Sequence, residues 1–165
     1  MADELAEDIS VLTPQGSVES WSLTAVGDDT GEWRVEASDG RGGIWAGVGE
    51  HLFEAVCDLR AAPEAAGFRF LIAGARVDSW PTSMSIQMHG GCLVAARHGP
   101  AGMVLKNLFC LLSRRSAHRY VFSAAPASKV GTVAQQEAYQ EGWTRRAVGH
   151  AREGRDAAGR GFEEA

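Results

Sequence analysis

Over the first third of the chain, apolar and polar residues alternate. Trp21, Leu23 and Ala25 fall on one face, and after Gly27-Asp-Asp-Thr-Gly31 the same period of two resumes at Trp33, Val35 and Ala37. That spacing predicts a hairpin with both tryptophans on its buried face. Asp39-Gly40 and Gly42-Gly43 mark a second turn, and Ile44, Trp45 and Val48 supply a short third strand. Residues 1–8 are acidic and are expected to be flexible, with order beginning near Ile9, Val11 and Leu12.

The period changes at Glu50. Leu52, Phe53, Val56 and Leu59 recur at helical spacing and predict a helix to about Ala62, with Glu54, Asp58 and Arg60 facing outwards. Pro63 should end or kink it, and Gly67 is a natural stop. Phe68–Ala73 reads as a short strand, Thr82–His89 as a turn-bound segment, Cys92–Ala96 and Tyr120–Ser123 as further strands. Ser83 is a candidate cap there, and Met84 and Met88 are spaced to pack one helical face. Met103–Leu112 is apolar all round, so periodicity leaves helix and strand both open. Thr132 is a natural N-cap for a helix to about Ala147, striped by Val133, Ala134, Ala138, Tyr139 and Trp143. Together these elements predict an α+β fold: a mainly antiparallel sheet with two principal helices packed on one face. Residues 9–148 form the single domain in this reading, and 149–165 a flexible tail.

Charge adds an asymmetry. Residues 1–64 hold 14 acidic and 3 basic side chains, and residues 65–165 hold 7 acidic and 13 basic. Either the two halves pair across one surface, or the acidic half is open to a basic partner. The net charge of −5 argues against nucleic-acid binding, which needs clustered positive charge. The acidic start lacks the features of a secretory signal, and the ten-residue apolar run is too short for a membrane span of about 20 residues. Three scattered cysteines, Cys57, Cys92 and Cys110, suit a reducing compartment. Cytoplasmic localisation is the expectation.

Four chemistries are open to test. His89-Gly-Gly-Cys92 with His98 hints at a metal, but a structural zinc site wants a second ligand pair, so no metal or other cofactor is expected. Ser79, Ser83, Ser85, Cys92, His89 and Asp78 include the residue types of a catalytic triad without a nucleophile-elbow motif. Gly40–Gly43 and Gly47-Val-Gly49 precede a helix, as phosphate loops do, but match neither nucleotide-binding pattern. Arg114, Arg115, His118, Arg119 and Tyr120, with Lys129, Arg145 and Arg146, form a basic cluster that a solvated surface explains equally well.

The stretch Gly74-Ala-Arg76-Val-Asp78, Ser83-Met84, Met88 and Gly90-Gly91 resembles a pattern in a family of small uncharacterised bacterial proteins. The preceding helix Leu52–Arg60 and the later Thr132-Val133-Ala-Gln-Gln136 extend the resemblance over residues 45–143. Pro63 and the long 103–119 segment depart from the pattern. Such proteins look similar to the cytoplasmic immunity proteins that accompany bacterial toxins. The resemblance therefore implies a protein-binding inhibitor that masks a toxin's surface. For a basic toxin domain the contact residues would be Asp28, Asp29, Glu32, Glu36 and Asp39. Arg76, Asp78 and Trp80 would add a second contact surface. The alternatives are a small enzyme built on the Arg76–Cys92 loop, and a homo-oligomeric accessory protein anchored by Trp45 or Trp80.

Overall fold

The computed structural model describes residues 3–97 and 118–160. The expected turn at 98–102, the Met103–Leu112 segment and most of the basic connection at 114–119 lie outside the described residues. Four strands, β1 (Asp3–Leu12), β2 (Val18–Gly27), β3 (Trp33–Ser38) and β4 (Ile44–Gly49), form an antiparallel meander. β5 (Arg69–Phe70) joins beside β1, giving the order β4-β3-β2-β1-β5. Helix α1 (Leu52–Ala65) covers one face of this sheet. A second antiparallel sheet has the order β6-β7-β8, from Ser79–Trp80, Leu93–Ala96 and His118–Tyr120. Between β6 and β7 lies the short helix α2 (Ser83–His89), and α3 (Val133–Arg160) ends the described chain. The fold is α+β. Among the described residues, no helix is long and apolar enough to cross a membrane.

The alternation in β2 and β3 produces two unlike faces. Trp21, Leu23, Ala25, Trp33, Val35 and Ala37 are buried, with Ile9 and Val11 of β1 beside them. Ser22, Thr24 and Glu36 point to the other, open face. Trp21 is stacked on Trp45 with ring centroids 4.3 Å apart, and Phe70 meets it edge-on. The expectation for residues 1–8 is corrected: β1 is paired from Asp3 opposite Gly27 onwards. Its acidic side chains hide the strand because Glu7 breaks the apolar alternation. Backbone pairing to a ten-residue neighbour does not depend on those side chains.

Gly47-Val-Gly49 is part of β4, not a phosphate loop. A Cβ on Gly47 would lie 2.2 Å from the Leu59 backbone nitrogen and 2.3 Å from the Ala55 carbonyl oxygen. Absence of side chains lets α1 lie directly on the strand. Asp58, on the outer side of α1, accepts the Val48 N–H at 3.0 Å and so occupies part of the sheet's edge.

Arg60 reverses its expected orientation. It is fully buried, and its guanidinium donates from Nε to Glu64 (2.8 Å) and from Nη1 to the Gly74 carbonyl (2.9 Å). Nη1 also reaches the Gln136 amide oxygen (3.1 Å), and Nη2 the Gly131 carbonyl (3.0 Å). Glu64 accepts the Val133 N–H at the start of α3, and Gln136 Nε2 donates to the carbonyls of Gly74, Arg76 and Ser79. The second principal helix is thus held through α1 and its neighbouring loop. Thr132 does cap α3: its hydroxyl accepts the Gln135 N–H, and Gln135 accepts the Thr132 N–H in return. The helix continues to Arg160, past the expected end and through the segment expected as a tail, in a stretch rich in Ala and Arg that favours helix despite its glycines. Pro63 is accommodated in the last turn of α1.

Two stability outcomes are expected in urea unfolding. Gly47→Ala should cost at least about 2 kcal/mol through overpacking against α1, whereas Ala46→Ser on the open face should stay within about 0.5 kcal/mol. Arg60→Met should cost about 3–5 kcal/mol, because Glu64 is left buried without its partner. Arg60→Lys should recover only part of that, since one ammonium cannot reach all four acceptors.

Candidate functional site

The β2–β3 turn, the α1 N-terminus and α2 meet at one end of the molecule and enclose a groove of ≈ 710 Å³. Trp33, Leu5, Ile86, Met88 and Leu93 give it apolar walls, and Asp28 and Glu50 give it carboxylates, while Glu4 stands at its β1 edge on the open-face side of the strand. His89 and Cys92 line it too. A second hollow of ≈ 490 Å³ shares Gly31 and Glu50 and adds Glu32 and Glu54. Among the described residues, no lysine or arginine lines either hollow. Glu4 and Glu50 have side chains without a hydrogen-bond or ion-pair partner among the described residues.

Local chemistry fixes each wall. Asp28 Oδ1 accepts the Thr30 hydroxyl (2.6 Å) and the N–H groups of Thr30 (2.9 Å) and Glu32 (3.0 Å), closing the β2–β3 turn. The Thr30 hydroxyl leads these bonds in holding the Asp28 carboxyl below its usual value. On the opposite wall, Thr82 rather than Ser83 caps α2 by accepting the Ser85 N–H (3.1 Å). Gly90, in the left-handed region at φ 53°, turns the chain, and its carbonyl accepts the Leu52 N–H at 2.8 Å. That bond ties α2 to the start of α1. Met84 and Met88 do not pack inwards as expected: they are 69% and 70% exposed, because Ser85 is the residue that α2 buries, donating to the Leu93 carbonyl at 2.6 Å.

The sequence-derived contact residues are only partly brought together. Asp28 and Glu32 line the hollows, and Asp29 lies in the same turn. Glu36 stands on the open sheet face, opposite Thr24 and Ala46. Asp39 is at the other end of β3, where it accepts the N–H groups of Arg41 (2.7 Å) and Gly43 (2.9 Å). Asp28 and Asp39 are therefore turn-forming residues, and the length of β3 separates them by about 20 Å.

Arg76 and Asp78 are spent on each other through a two-pronged ion pair at 2.8 and 2.7 Å. Burial works against charge on Asp78, but the hydrogen bonds and charge of Arg76 outweigh it and hold the carboxyl below its usual value. Neither residue lines the two hollows, so His89 and Cys92 occupy the groove without them. Ser79 is buried. Among the described residues no three His, Cys, Asp or Glu side chains are grouped as metal ligands, and His98 and Cys110 lie outside the described residues. Trp45 and Trp80 are not exposed anchors: Trp45 is stacked on Trp21, and Trp80 meets Phe53 edge-on at 5.2 Å. His118, Arg119, Lys129, Arg145 and Arg146 are exposed and belong to three separate elements.

Glu4, Glu50 and Glu54 escaped the sequence reading. The available signal was the His51-x-x-Glu54 spacing of a helix start, with His51 accepting the Glu54 N–H and Glu54 accepting the Glu50 N–H. For the Arg76–Asp78 pair a pH effect is expected. A carboxyl lowered on folding adds stability that is present above its ordinary value of 3.8 and is lost as pH falls through the lowered value. Asp78→Asn should therefore flatten the acid limb of the stability–pH curve measured by urea unfolding. Comparison of the sequence with protein-family models and with curated proteins finds no match.

Proposed function

We propose that this chain is a protein-binding protein whose docking surface is the acidic, apolar-walled groove between the β2–β3 turn and α2. The observation that carries the reading is a groove of ≈ 710 Å³ bordered by carboxylates with no described lysine or arginine. Such a groove attracts a basic segment by charge, and Trp33, Leu5 and Ile86 offer it apolar contact. Met84 and Met88 support a protein partner, since exposed flexible thioethers adapt to a docked surface.

Within this reading the chain is a cytoplasmic inhibitor of immunity type, and its partner is a basic toxin domain whose surface it masks. The resemblance over residues 45–143 and the acidic groove point in the same direction. The acidic contact set shifts from the five hairpin carboxylates to Glu32, Glu50 and Glu54. Reversing Asp28 would open its own turn and would not isolate charge.

The test begins with capture of the partner from the host and proceeds to association kinetics. The on-rate should fall at least about tenfold between low and high salt. The variant Glu50→Lys should reproduce part of that fall at low salt, and Ser22→Lys on the open face should not. An on-rate indifferent to salt and to Glu50 contradicts the reading.

A further inference from the structure

A smaller hollow of ≈ 240 Å³ lies between α1 and the start of α3, around the corner from the groove. Phe53, Trp80 and Val133 form its apolar part, Cys57 joins them, and Glu54 and Glu137 supply two carboxylates. The Phe53 ring is buried and packs against Trp80 with centroids 5.2 Å apart, so half-buried Trp80 is the aromatic surface that the hollow offers. Glu54 lines both this hollow and the ≈ 490 Å³ one, so the two adjoin at the α1 N-terminus.

We propose that this hollow receives a single arginine side chain of the protein partner, its guanidinium held between the Trp80 ring and the Glu137 and Glu54 carboxylates. The size fits one side chain, being below the range of about 300–1,000 Å³ usual for small-molecule sites. An aromatic face attracts a cation through its quadrupole, and a planar guanidinium stacks on it while directing N–H groups at a carboxylate. Glu137 has no hydrogen-bond or ion-pair partner among the described residues. Glu54 uses one oxygen to accept the Glu50 N–H and keeps the other.

Nearby cations are already committed. The Arg60 guanidinium, beneath the hollow, is fully buried and saturated by Glu64 and three further acceptors. His51, which also lines the hollow, turns Nδ1 to the Glu54 N–H as the cap of α1. The thiol of Cys57 reports the same field: burial pushes it up to about 11, Arg60 opposes this, and Glu64, Glu137 and Glu54 add to it.

This inference rests on the protein-partner reading, and its test does not need the partner. Nα-acetyl-arginine N-methylamide is titrated into the full chain while the Trp80 indole signal is followed by NMR, assigned with Trp80→Phe. The expected result is a saturable shift at millimolar probe, with the neutral norleucine analogue at least about fivefold weaker. Glu137→Gln, an exposed change that leaves the core intact, should weaken the arginine probe at least about threefold. Equal binding of the norleucine analogue, no saturable shift, or an unchanged affinity in Glu137→Gln overturns the pocket. If the probe fails while Glu50→Lys still slows the partner, the arginine pocket is lost and the groove reading survives. If the probe binds and Glu50 does not matter, the pocket stands and the groove reading falls.

Discussion

The buried guanidinium of Arg60 is the point on which the architecture turns. It leaves water entirely, and a charge so placed is tolerated only when its counter-ion and hydrogen bonds are supplied in full. Here the supply comes from four residues in three parts of the chain: Glu64 on the same helix, Gly74 in the following loop, and Gly131 and Gln136 at the start of α3. None of those segments can move without leaving an unpaired group in the interior. Gln136 extends the same bargain to the carbonyls of Arg76 and Ser79, which fixes the entry to the second sheet.

From that anchor the binding surfaces follow. The glycines of β4 let α1 lie close on the sheet, and the guanidinium sets what lies on its other side. With α1 fixed at both, its N-terminus falls beside Gly90 and the β2–β3 turn, and this places Glu50 and Glu54 where the hollows open. The acidic character is thus built on rigid supports rather than on a loop. Rigid presentation reduces the ordering cost of association, which is where much binding energy is otherwise lost.

The strand pattern was legible because alternation in Trp21–Ala25 and Trp33–Ala37 is a direct image of one buried face. α1 and the Thr132 cap were legible for similar local reasons. What escaped depended on tertiary partners. Arg60 falls on the apolar stripe, four residues after Val56 and seven after Phe53, but its charge argues for the surface, and only Glu64 with distant Gln136 makes its burial tolerable. β1 was obscured because Glu7 interrupts its apolar period, although β2 provides a full backbone ladder. Gly47 and Gly49 resembled a ligand loop because a glycine pair has the same appearance whether an anion or a helix approaches it. The acidic hairpin was recognised as a feature, but its residues were not separable by sequence. Asp28 and Asp39 hold turns, Glu36 faces the open sheet, and the groove draws Glu50 from elsewhere.

The central claim is that a partner is met at the groove and not on the open sheet face. Carbodiimide footprinting of carboxylates, read by mass spectrometry with and without the captured partner, separates the two surfaces in one measurement. The account predicts that Glu50 and Glu54 lose most of their labelling in the complex, while Asp8 and Glu36 on the open face keep theirs. Protection of Asp8 and Glu36 with Glu50 and Glu54 still labelled would contradict it.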